Sequence, residues 1–378
     1  MRRFQALPLM CSLLAFLTLS ACGGGGSGPM PPPASSSDFV FESNNNQITI
    51  FQVDSAGTVI GTPAPATGPA SGGGLALTST NFLYAADSVN NAVDAFSVDA
   101  TTGALTTVAG SPFTVLSGQQ GAQGMSVDPS GKFLFVPQHN TDQVAAFTIN
   151  SAGQLTAAPG SPFATIAGGF PVQSVVDPSG KYLYVSNGLD PLGRISAYTI
   201  STSGVLAAIP GSPFTTLVNG GPNGLVIHPS GNFLYIAMSG TTTPGTQVVG
   251  QVINPSTGAL SPIPGSPFTV GNQPSSVAID PAGKFLFVTN MMDNTVSAFT
   301  IDSSSGALTP VTGSPFMTGP MSNPFMMAIN PAGTLLFVVN ANSTSISAFG
   351  VGSTGALATL APLNGGAGAS GIAIVHHP

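Results

Sequence analysis

Three ionisable side chains stand out because their residue types are rare in this chain. Only 5% of the 378 residues are charged; Glu42 is the only glutamate, Arg194 is the only arginine after Arg3, and His139 is one of 4 histidines. A histidine can act as acid, base or ligand contact near neutral pH. An arginine can bind a carboxylate or stabilise an oxyanion, and a carboxylate with a shifted pKa is typical of a functional site. These residues are therefore the candidate catalytic groups.

Each candidate also has a structural interpretation, which the sequence leaves open. His139 could be an ordinary surface-loop residue, and Arg194 a solvated charge paired with Asp190. Glu42 occupies a strand position that is valine in several other repeats, and it could simply lie at the exposed start of the folded chain. Because the three residues come from different repeats, the sequence does not decide whether they converge.

The elements that must position these groups belong to a repeat of roughly 50 residues. An Asp-Pro-Ser-Gly turn at 128–131 returns four times with small changes, and a Gly-Ser-Pro-Phe motif recurs in phase with it. Each unit holds four short strand patterns separated by turns, and the Asp, Pro and Gly positions are those of a type I turn. The Gly-Ser-Pro-Phe copies are expected to turn the chain after the outer strand and to supply a Phe that packs between blades.

Seven second strands can be counted, which predicts an all-β, seven-bladed β-propeller with four-stranded blades. They begin at Phe39, Phe82, Phe133, Tyr182, Phe233, Phe285 and Leu335. The repeat region starts with second-strand sequence and ends with first-strand sequence at 371–375. We therefore expect the N- and C-terminal strands to complete one blade and close the ring, which removes two open sheet edges.

Polar residues recur where the second strands end, on the face where a propeller opens its central channel. Six of the seven positions are polar: Asn44, Asp87, Gln138, Asn187, Asn290 and Asn340. They could cap the strand ends, as Asx residues do in turns. Alternatively, they form a ring of donors and acceptors that binds a polar ligand. His139 and Arg194 are expected on the same face.

The N-terminus resembles a bacterial lipoprotein signal. A basic start precedes an apolar run, 7–21, that is too short to span a bilayer, and Leu19-Ser20-Ala21-Cys22 resembles a lipobox. This predicts a signal peptide over 1–21, acylation of Cys22, a Gly/Pro/Ser tether over 22–37 and a propeller over 38–378. The alternative is ordinary secretory cleavage with an incidental cysteine. By resemblance to Gram-negative sorting, Gly23 favours export to the outer membrane.

The repeated Pro-x-Gly-Lys-Phe-Leu-Phe-Val core resembles the β-propeller lactonase family, which includes 6-phosphogluconolactonase-like and YVTN-type repeat propellers. The resemblance covers nearly all of 38–378. It implies that lactone-opening members use His, Glu and Arg near the channel mouth, for which His139, Glu42 and Arg194 are the candidates here.

Charge and motif content narrow the remaining functions. The net charge of −7, with 6 Lys and Arg in the whole chain, excludes nucleic acid as a partner. No metal-ligand spacing or nucleotide loop is present, so no metal or cofactor is expected. We expect a monomer, anchored to the membrane through Cys22, that binds a small polar ligand or an envelope protein. The two candidate functions are a ligand-binding or interaction module and, alternatively, a lactone hydrolase.

Overall fold

The computed structural model describes residues 37–44, 47–61, 64–67, 73–115 and 124–377. Every regular element within these ranges is a β-strand, and they contain no apolar helix long enough to cross a membrane. The strands form seven antiparallel sheets arranged as the blades of a propeller. The predicted all-β, seven-bladed fold is confirmed. The predicted signal peptide, Cys22 and the predicted tether up to residue 36 lie outside the described residues.

The blades are numbered along the chain, and their strands have the following bounds. Blade 1 contains β1 Ser37–Ser43, β2 Gln47–Asp54, β3 Ala64–Thr67 and β34 Gly371–His377. Blade 2 contains β4 Leu75–Leu77, β5 Phe82–Asp87, β6 Ala92–Val98, β7 Leu105–Thr107 and β8 Phe113–Thr114. Blade 3 contains β9 Ser126–Val127, β10 Phe133–Gln138, β11 Gln143–Ile149, β12 Leu155–Ala157 and β13 Phe163–Ala164. Blade 4 contains β14 Pro171–Val176, β15 Tyr182–Asn187, β16 Arg194–Ile200, β17 Leu206–Ala208 and β18 Phe214–Thr215.

The remaining three blades follow the same order. Blade 5 contains β19 Pro222–Ile227, β20 Phe233–Met238, β21 Gln247–Ile253, β22 Leu260–Pro262 and β23 Phe268–Thr269. Blade 6 contains β24 Pro274–Ile279, β25 Phe285–Asn290, β26 Thr295–Ile301, β27 Leu308–Pro310 and β28 Phe316–Met317. Blade 7 contains β29 Pro324–Ile329, β30 Leu335–Asn340, β31 Ser345–Val351, β32 Leu357–Thr359 and β33 Leu363–Asn364.

The ring closes through blade 1, as predicted. Strand β34 pairs antiparallel with β1 along its whole length, from Ser37 opposite His377 to Ser43 opposite Gly371. The innermost strands of successive blades contact one another around the channel, and β34 contacts both β29 and β4. The last strand of the chain is therefore the innermost strand of the first blade.

One contact between neighbouring blades repeats seven times. A large side chain at or near the start of each second strand packs on the glycine in the turn between the third and fourth strands of the next blade, and in six of the seven pairs a Cβ on that glycine would come within 3 Å of this side chain. The pairs are Phe39/Gly103, Phe82/Gly153, Phe133/Gly204, Tyr182/Gly258, Phe233/Gly306, Phe285/Gly355 and Leu335/Gly57. The last pair joins blade 7 to blade 1, so the packing is continuous around the ring.

The turns between first and second strands are held by one side chain each. In blade 6, Asp280 Oδ1 accepts the backbone N–H groups of Lys284 and Phe285, both at 2.6 Å. Asp128, Asp177 and Asn330 hold their turns in the same way. This is why the Asp-Pro-x-Gly pattern recurs at the end of the blade that lies opposite the channel mouth.

The Gly-Ser-Pro-Phe copies interrupt the fourth strand. In each copy the Ser–Pro peptide bond is cis, and in blade 2 Ser111 Oγ accepts the N–H of Ala95 from the third strand at 2.9 Å. After the turn, a two-residue strand pairs again with the third strand. Blades 2 to 7 thus have a short fifth strand, which the four-stranded prediction lacked. The Phe of each copy is half-buried against the blade core.

Candidate functional site

A small cavity lies at the mouth of the central channel, where the innermost strands begin. In blades 4 to 7 the pairing of the first strand with the second shifts register just after its opening proline. Such bulges bend the strand locally and are frequent beside active sites. The cavity has a volume of about 60 Å³ and is lined by Gly73, Gly74, Gly124, Val172, Gln173, Asn223, Phe325, Met326 and Ser370. Six of the seven blades contribute to it.

Three polar side chains face this mostly apolar cavity. Gln173 Oε1 accepts the N–H of Leu225 in the next blade at 2.8 Å, which orients its amide group. Asn223 supplies a second amide. Ser370 Oγ is buried and has no hydrogen-bond partner among the described residues. The mouth therefore offers neutral hydrogen-bonding groups to a ligand.

His139 lies directly after the second strand of blade 3 and reaches toward blade 4. Its ring packs against that of Phe170, with 5.1 Å between the centroids, two residues before the cavity-lining Val172. Burial lowers the pKa of His139, although the backbone of Pro171 and the charge of Asp142 oppose this. Its Nδ1 atom is buried without a partner in the described part of the chain. Burial therefore favours the neutral imidazole, and its Nδ1 atom is enclosed rather than open to solvent.

Asp142 fixes the loop that carries Phe170. Its two carboxylate oxygens accept the N–H groups of Gly168 at 2.7 Å and Phe170 at 3.0 Å. The loop before the innermost strand of blade 4 is thereby tied to the turn that carries His139. This arrangement couples the position of the histidine to the wall of the cavity.

Arg194 is held by Asp190, as its structural interpretation expected. Arg194 Nε and one terminal nitrogen each donate to a different carboxylate oxygen at 2.9 Å, and the Arg194 backbone N–H donates at 2.7 Å. Asp190 is almost fully buried, and the Arg194 side chain is 32% exposed. Burial alone would raise the pKa of Asp190, but the hydrogen bonds and charge of Arg194 hold it below its usual value. The ion pair closes the loop between the second and third strands.

Glu42 is fully buried, so it does not lie at an exposed chain start. The N–H of Gly366 donates to both of its carboxylate oxygens, at 3.1 and 3.0 Å. Burial raises the pKa of Glu42 to about 6, against hydrogen bonds from Gly366, Asn44 and Thr49 that lower it. A Cβ on Gly365 would collide with the carboxylate. Glu42 is therefore a perturbed acid beneath the loop that leads to Ser370.

The polar residues at the second-strand ends bond mainly to their own blades. Asn290 Nδ2 donates to Thr295 and Ser297, both at 2.9 Å, and Asn340 and Asn187 make equivalent bonds to the third strand. Asn44 donates to Thr49, Asp87 accepts backbone N–H groups of its own turn, and Gln138 accepts weakly from Thr141. These are the bonds of turn-capping residues. Ligand binding by this set remains a prediction, and none of its members lines the central cavity.

The three predicted catalytic residues do not form one cluster. Within the described residues, no hydrogen bond or ion pair joins any two of His139, Arg194 and Glu42. His139 belongs to blade 3, Arg194 to blade 4 and Glu42 to blade 1. His139 packs against Phe170, which comes two residues before the cavity-lining Val172.

The sequence analysis missed Asp94, a second perturbed carboxylate. It lies on the third strand of blade 2, where blades 4, 6 and 7 have Ser196, Ser297 and Ser347. Burial and the negative charge of Asp87 raise the pKa of Asp94 to about 6. Its Oδ2 atom is buried and unpaired within the described ranges. Aligning the third strands of the repeats would have revealed it.

A larger crevice of about 660 Å³ lies over blades 4 and 5. Its walls come from the loops around 191–192, 218–220 and 240–247, and none of its lining residues is ionisable. It therefore offers no acid or base. The central cavity remains the better candidate for chemistry.

The positive charges of the folded chain lie away from the channel mouth. Lys132, Lys181 and Lys284 follow the Pro-x-Gly turns at the opposite end of blades 3, 4 and 6. A strand of six residues spans about 17–20 Å, which is roughly twice the 8 Å Debye length at physiological ionic strength. Arg194, the remaining cation of the described residues, is neutralised by Asp190. Among the described residues, the mouth therefore has no free cation to receive a phosphate.

Comparison with known proteins places these features in a family context. A family model described as "Lactonase, 7-bladed beta-propeller" matches residues 34–169 and 194–367, more than three quarters of the chain. The unmatched stretch between them contains Gln173 and Asp190.

Individual relatives are more distant. A 6-phosphogluconolactonase from Formosa agariphila is 30% identical over 173 residues, which are 45% of this chain and 48% of the relative. One from Pectobacterium atrosepticum is 24% identical over 202 residues, covering 52% and 58%. The chain thus spans about half the length of the curated relatives it matches. The structure of the periplasmic gluconolactonase PpgL from Pseudomonas aeruginosa superimposes with a TM-score of 0.72 at 19% identity, covering 91% of this chain and 99% of that one.

Proposed function

Because this chain belongs to the seven-bladed β-propeller lactonase family, we propose that it hydrolyses lactones at the mouth of its central channel. The observation that carries the proposal is the cavity formed by the bulged innermost strands, with neutral hydrogen-bonding groups in its wall. Curated relatives that match half of the chain have the name 6-phosphogluconolactonase, which agrees with this reaction class.

The cavity would receive the carbonyl group of a lactone, whose ring would extend into the channel mouth. Amide N–H groups of Gln173 and Asn223 would donate to the carbonyl oxygen. Donors of this kind stabilise the negative charge that develops on the oxygen when water attacks the carbonyl carbon.

His139 is the proposed acid and base. As a neutral imidazole it can take a proton from the attacking water, which forms the new carbon–oxygen bond. It would then return the proton to the ring oxygen when the lactone C–O bond breaks, which leaves a hydroxy acid. Glu42 and Arg194 have no role in this step. Glu42 lies under the loop before Ser370, and Arg194 forms an ion pair with Asp190.

We propose that the preferred substrate is a neutral lactone and that phosphorylated sugar lactones are poor substrates. A phosphate group needs cationic or strong hydrogen-bond partners to offset its loss of water. The three lysines lie about 17–20 Å from the channel mouth, which is the length of one strand, and Arg194 forms an ion pair with Asp190. The gluconolactonase whose structure superimposes on this chain has a name that indicates an unphosphorylated substrate.

The test is hydrolysis by the purified chain, followed by pH-stat, with glucono-δ-lactone and its 6-phosphate compared under identical conditions. We expect turnover of the neutral lactone and a lower kcat/KM for the phosphate ester. The variant His139→Gln is expected to lose about 10²- to 10⁴-fold in kcat, and Asn223→Leu about a hundredfold. The control is His377→Gln. His377 is the last residue of β34, at the opposite end of that strand from the channel mouth, so this variant should retain full activity.

Two other outcomes would contradict this proposal. If neither lactone is hydrolysed above the uncatalysed rate but one binds, the propeller is a ligand-binding module, the first of the two functions suggested by its scarcity of charge. If Arg194→Gln abolishes hydrolysis while His139→Gln retains it, the assignment of the base is wrong.

We also propose that the chain is anchored in the cell envelope through Cys22. The support is the sequence of the segment over 1–37, where several acyl chains on one cysteine would give stable anchoring. Metabolic labelling with a palmitate analogue should mark the wild-type protein, and Cys22→Ala should remove both the label and the membrane association. A labelled Cys22→Ala protein would contradict the proposal.

A further inference from the structure

Methionine is concentrated in one sector of the propeller, on the face of the channel mouth. Of the 11 methionines, six fall between residues 291 and 327. Met291 and Met292 form part of the turn between the second and third strands of blade 6, and Met321 lies in the loop that leads to blade 7. Corresponding turns of other blades have Ser88-Val89, His139-Asn140 and Ala341-Asn342. The repeat itself therefore does not require methionine here.

Three of these side chains line one cavity. Met291, Met292 and Met321 border a space of about 360 Å³ together with Gln273, Asn294, Asn323 and Asn342. Met292 is 59% exposed and Met321 is 82% exposed, so their thioether sulfurs are accessible to solutes. A methionine side chain has three rotatable bonds, which allows sulfurs from different walls of such a space to reach a common atom.

The backbone that carries the three methionines is firmly bonded. The N–H of Met291 donates to the carbonyl of Gln273 at 3.1 Å, and Asn294 Oδ1 accepts the N–H of Asn323 at 2.9 Å. Met321 itself has a left-handed backbone conformation, with φ of 51°. A fixed scaffold thus presents exposed, flexible thioethers.

The electrostatic surroundings favour a cation. Asp293 lies between Met292 and Asn294, and its carboxylate accepts the backbone and side-chain N–H groups of Asn272. The only cation of blade 6 is Lys284, at the opposite end of the blade. The neighbouring Asn and Gln side chains offer neutral oxygen donors, so nothing in the described lining repels positive charge.

We propose that Met291, Met292 and Met321 form a binding site for a soft monovalent metal ion, Cu(I) or its analogue Ag(I). Thioether sulfur is a soft ligand that selects Cu(I) over harder divalent ions. Within the described residues no group of three His, Cys, Asp or Glu side chains could hold a metal, so the site differs in donor type from common metal centres. It is independent of the lactone chemistry proposed above.

The experiment uses the full chain with Cys11→Ser and Cys22→Ser, so that no thiol competes for the metal. Cu(I) affinity is measured anaerobically by competition with a chromogenic Cu(I) chelator, and Ag(I) binding is followed through the methyl NMR signals of labelled methionines. We expect one equivalent of metal and shifts confined to Met291, Met292 and Met321. Leucine keeps the apolar volume of methionine and removes the sulfur, so the triple Leu variant should bind at least about tenfold more weakly.

Met317→Leu is the matched control. Met317 is 61% exposed on the neighbouring short strand, but it does not line the cavity, so its loss should leave affinity unchanged. The proposal is overturned if the triple Leu variant binds Cu(I) as tightly as the parent. It is equally overturned if Met317→Leu weakens binding as much as the triple variant, or if Ag(I) shifts other methionines instead. Circular dichroism of each variant shows whether the fold has been kept.

Discussion

The two ends of the blades differ in how far their repeats agree. At the end with the Pro-x-Gly turns, four of the five turns use the same Asx side chain to bind the same backbone N–H groups. At the channel mouth, by contrast, Glu42, Asp94 and His139 each occur in one blade only and have no counterpart of the same type in the other blades. Several buried polar atoms lack hydrogen-bond partners among the described residues. Regular hydrogen bonding at one end stabilises the blades, whereas the other end holds buried groups whose pairing or pKa departs from that of the repeat.

In blade 5, the Asp or Asn of the Pro-x-Gly turn is replaced by His228, which makes different hydrogen bonds. It occupies the Asx position of blade 5, where Nδ1 accepts the N–H of Ser230 at 3.1 Å. The Nε2–H group therefore donates to the carbonyl of Gly283 in the next blade at 2.9 Å. The bond from one blade to the next compensates for the smaller number of bonds within the turn.

The largest effect is expected from removing the closing strand. Deleting residues 370–378 would expose the whole edge of β1 and remove the buried Ile372 and Ala373 from the core. Because both ends of the ring would then be open, we expect the cooperative thermal transition to collapse, as measured by calorimetry. The double variant His376→Ala/His377→Ala keeps the strand and should melt close to the wild type. An unchanged transition after the deletion would contradict the closure of the ring through β34.

The next largest effect is expected at the end of the blades that carries the Pro-x-Gly turns. Asp280→Ala would leave the N–H groups of Lys284 and Phe285 without their buried acceptor. We expect the free energy of unfolding to fall by about 2–3 kcal/mol, measured by urea denaturation. Asp280→Asn is the control, because Asn330 performs the same task in blade 7 at 2.8 and 2.9 Å. If the Ala and Asn variants are equally unstable, the hydrogen bonds to the backbone are not the cause.

Substitution of Glu42 is expected to have a smaller effect, and one that raises the free energy of unfolding instead of lowering it. Its folded-state pKa of about 6 lies above the ordinary value of 4.5, so the folded state binds more protons than the unfolded state between these pH values. The contribution of Glu42 to stability is therefore fully present below pH 4.5 and is lost as the pH rises through about 6. Glu42→Gln should remove this loss and stabilise the protein above pH 6 by about 1–2 kcal/mol. Equal gains at pH 4 and pH 7.5 would show that ionisation of Glu42 is not responsible.

The smallest effect is expected at Asp94, which is partly exposed. Asp94→Ser would restore the hydroxyl found at this position in blades 4, 6 and 7 and would relieve repulsion from Asp87. We expect a gain of at most about 1 kcal/mol at pH 7, because solvent screens the charge. The gain should shrink as the pH falls below 6, where Asp94 becomes protonated. Ser97→Asp on the exposed face of the same strand is the control and should show no such pH dependence.

Part of the candidate site followed from the sequence, and part did not. The strand ends that carry Asn187, Asn290 and Asn340 were identified correctly, because each follows an unmistakable second strand. Their bonding was ambiguous, because an Asn at a strand end can face either its own turn or the channel. The polar groups of the cavity, Gln173 and Ser370, were not singled out, since their positions depend on contacts between the innermost strands of different blades, such as the bond from the Leu225 N–H to Gln173.

The number of blades, the positions of the turns and the closure of the ring could be predicted from the sequence alone. These properties depend on local turn chemistry and on a period that repeats along the chain, and both can be counted without coordinates. The burial and the hydrogen-bond partners of the rare ionisable groups became visible only in the folded structure. Glu42 is buried because Gly366, 324 residues later in the chain, covers it. Burial and pairing depend on residues that the fold brings together from distant positions, and those contacts set the pKa of each group.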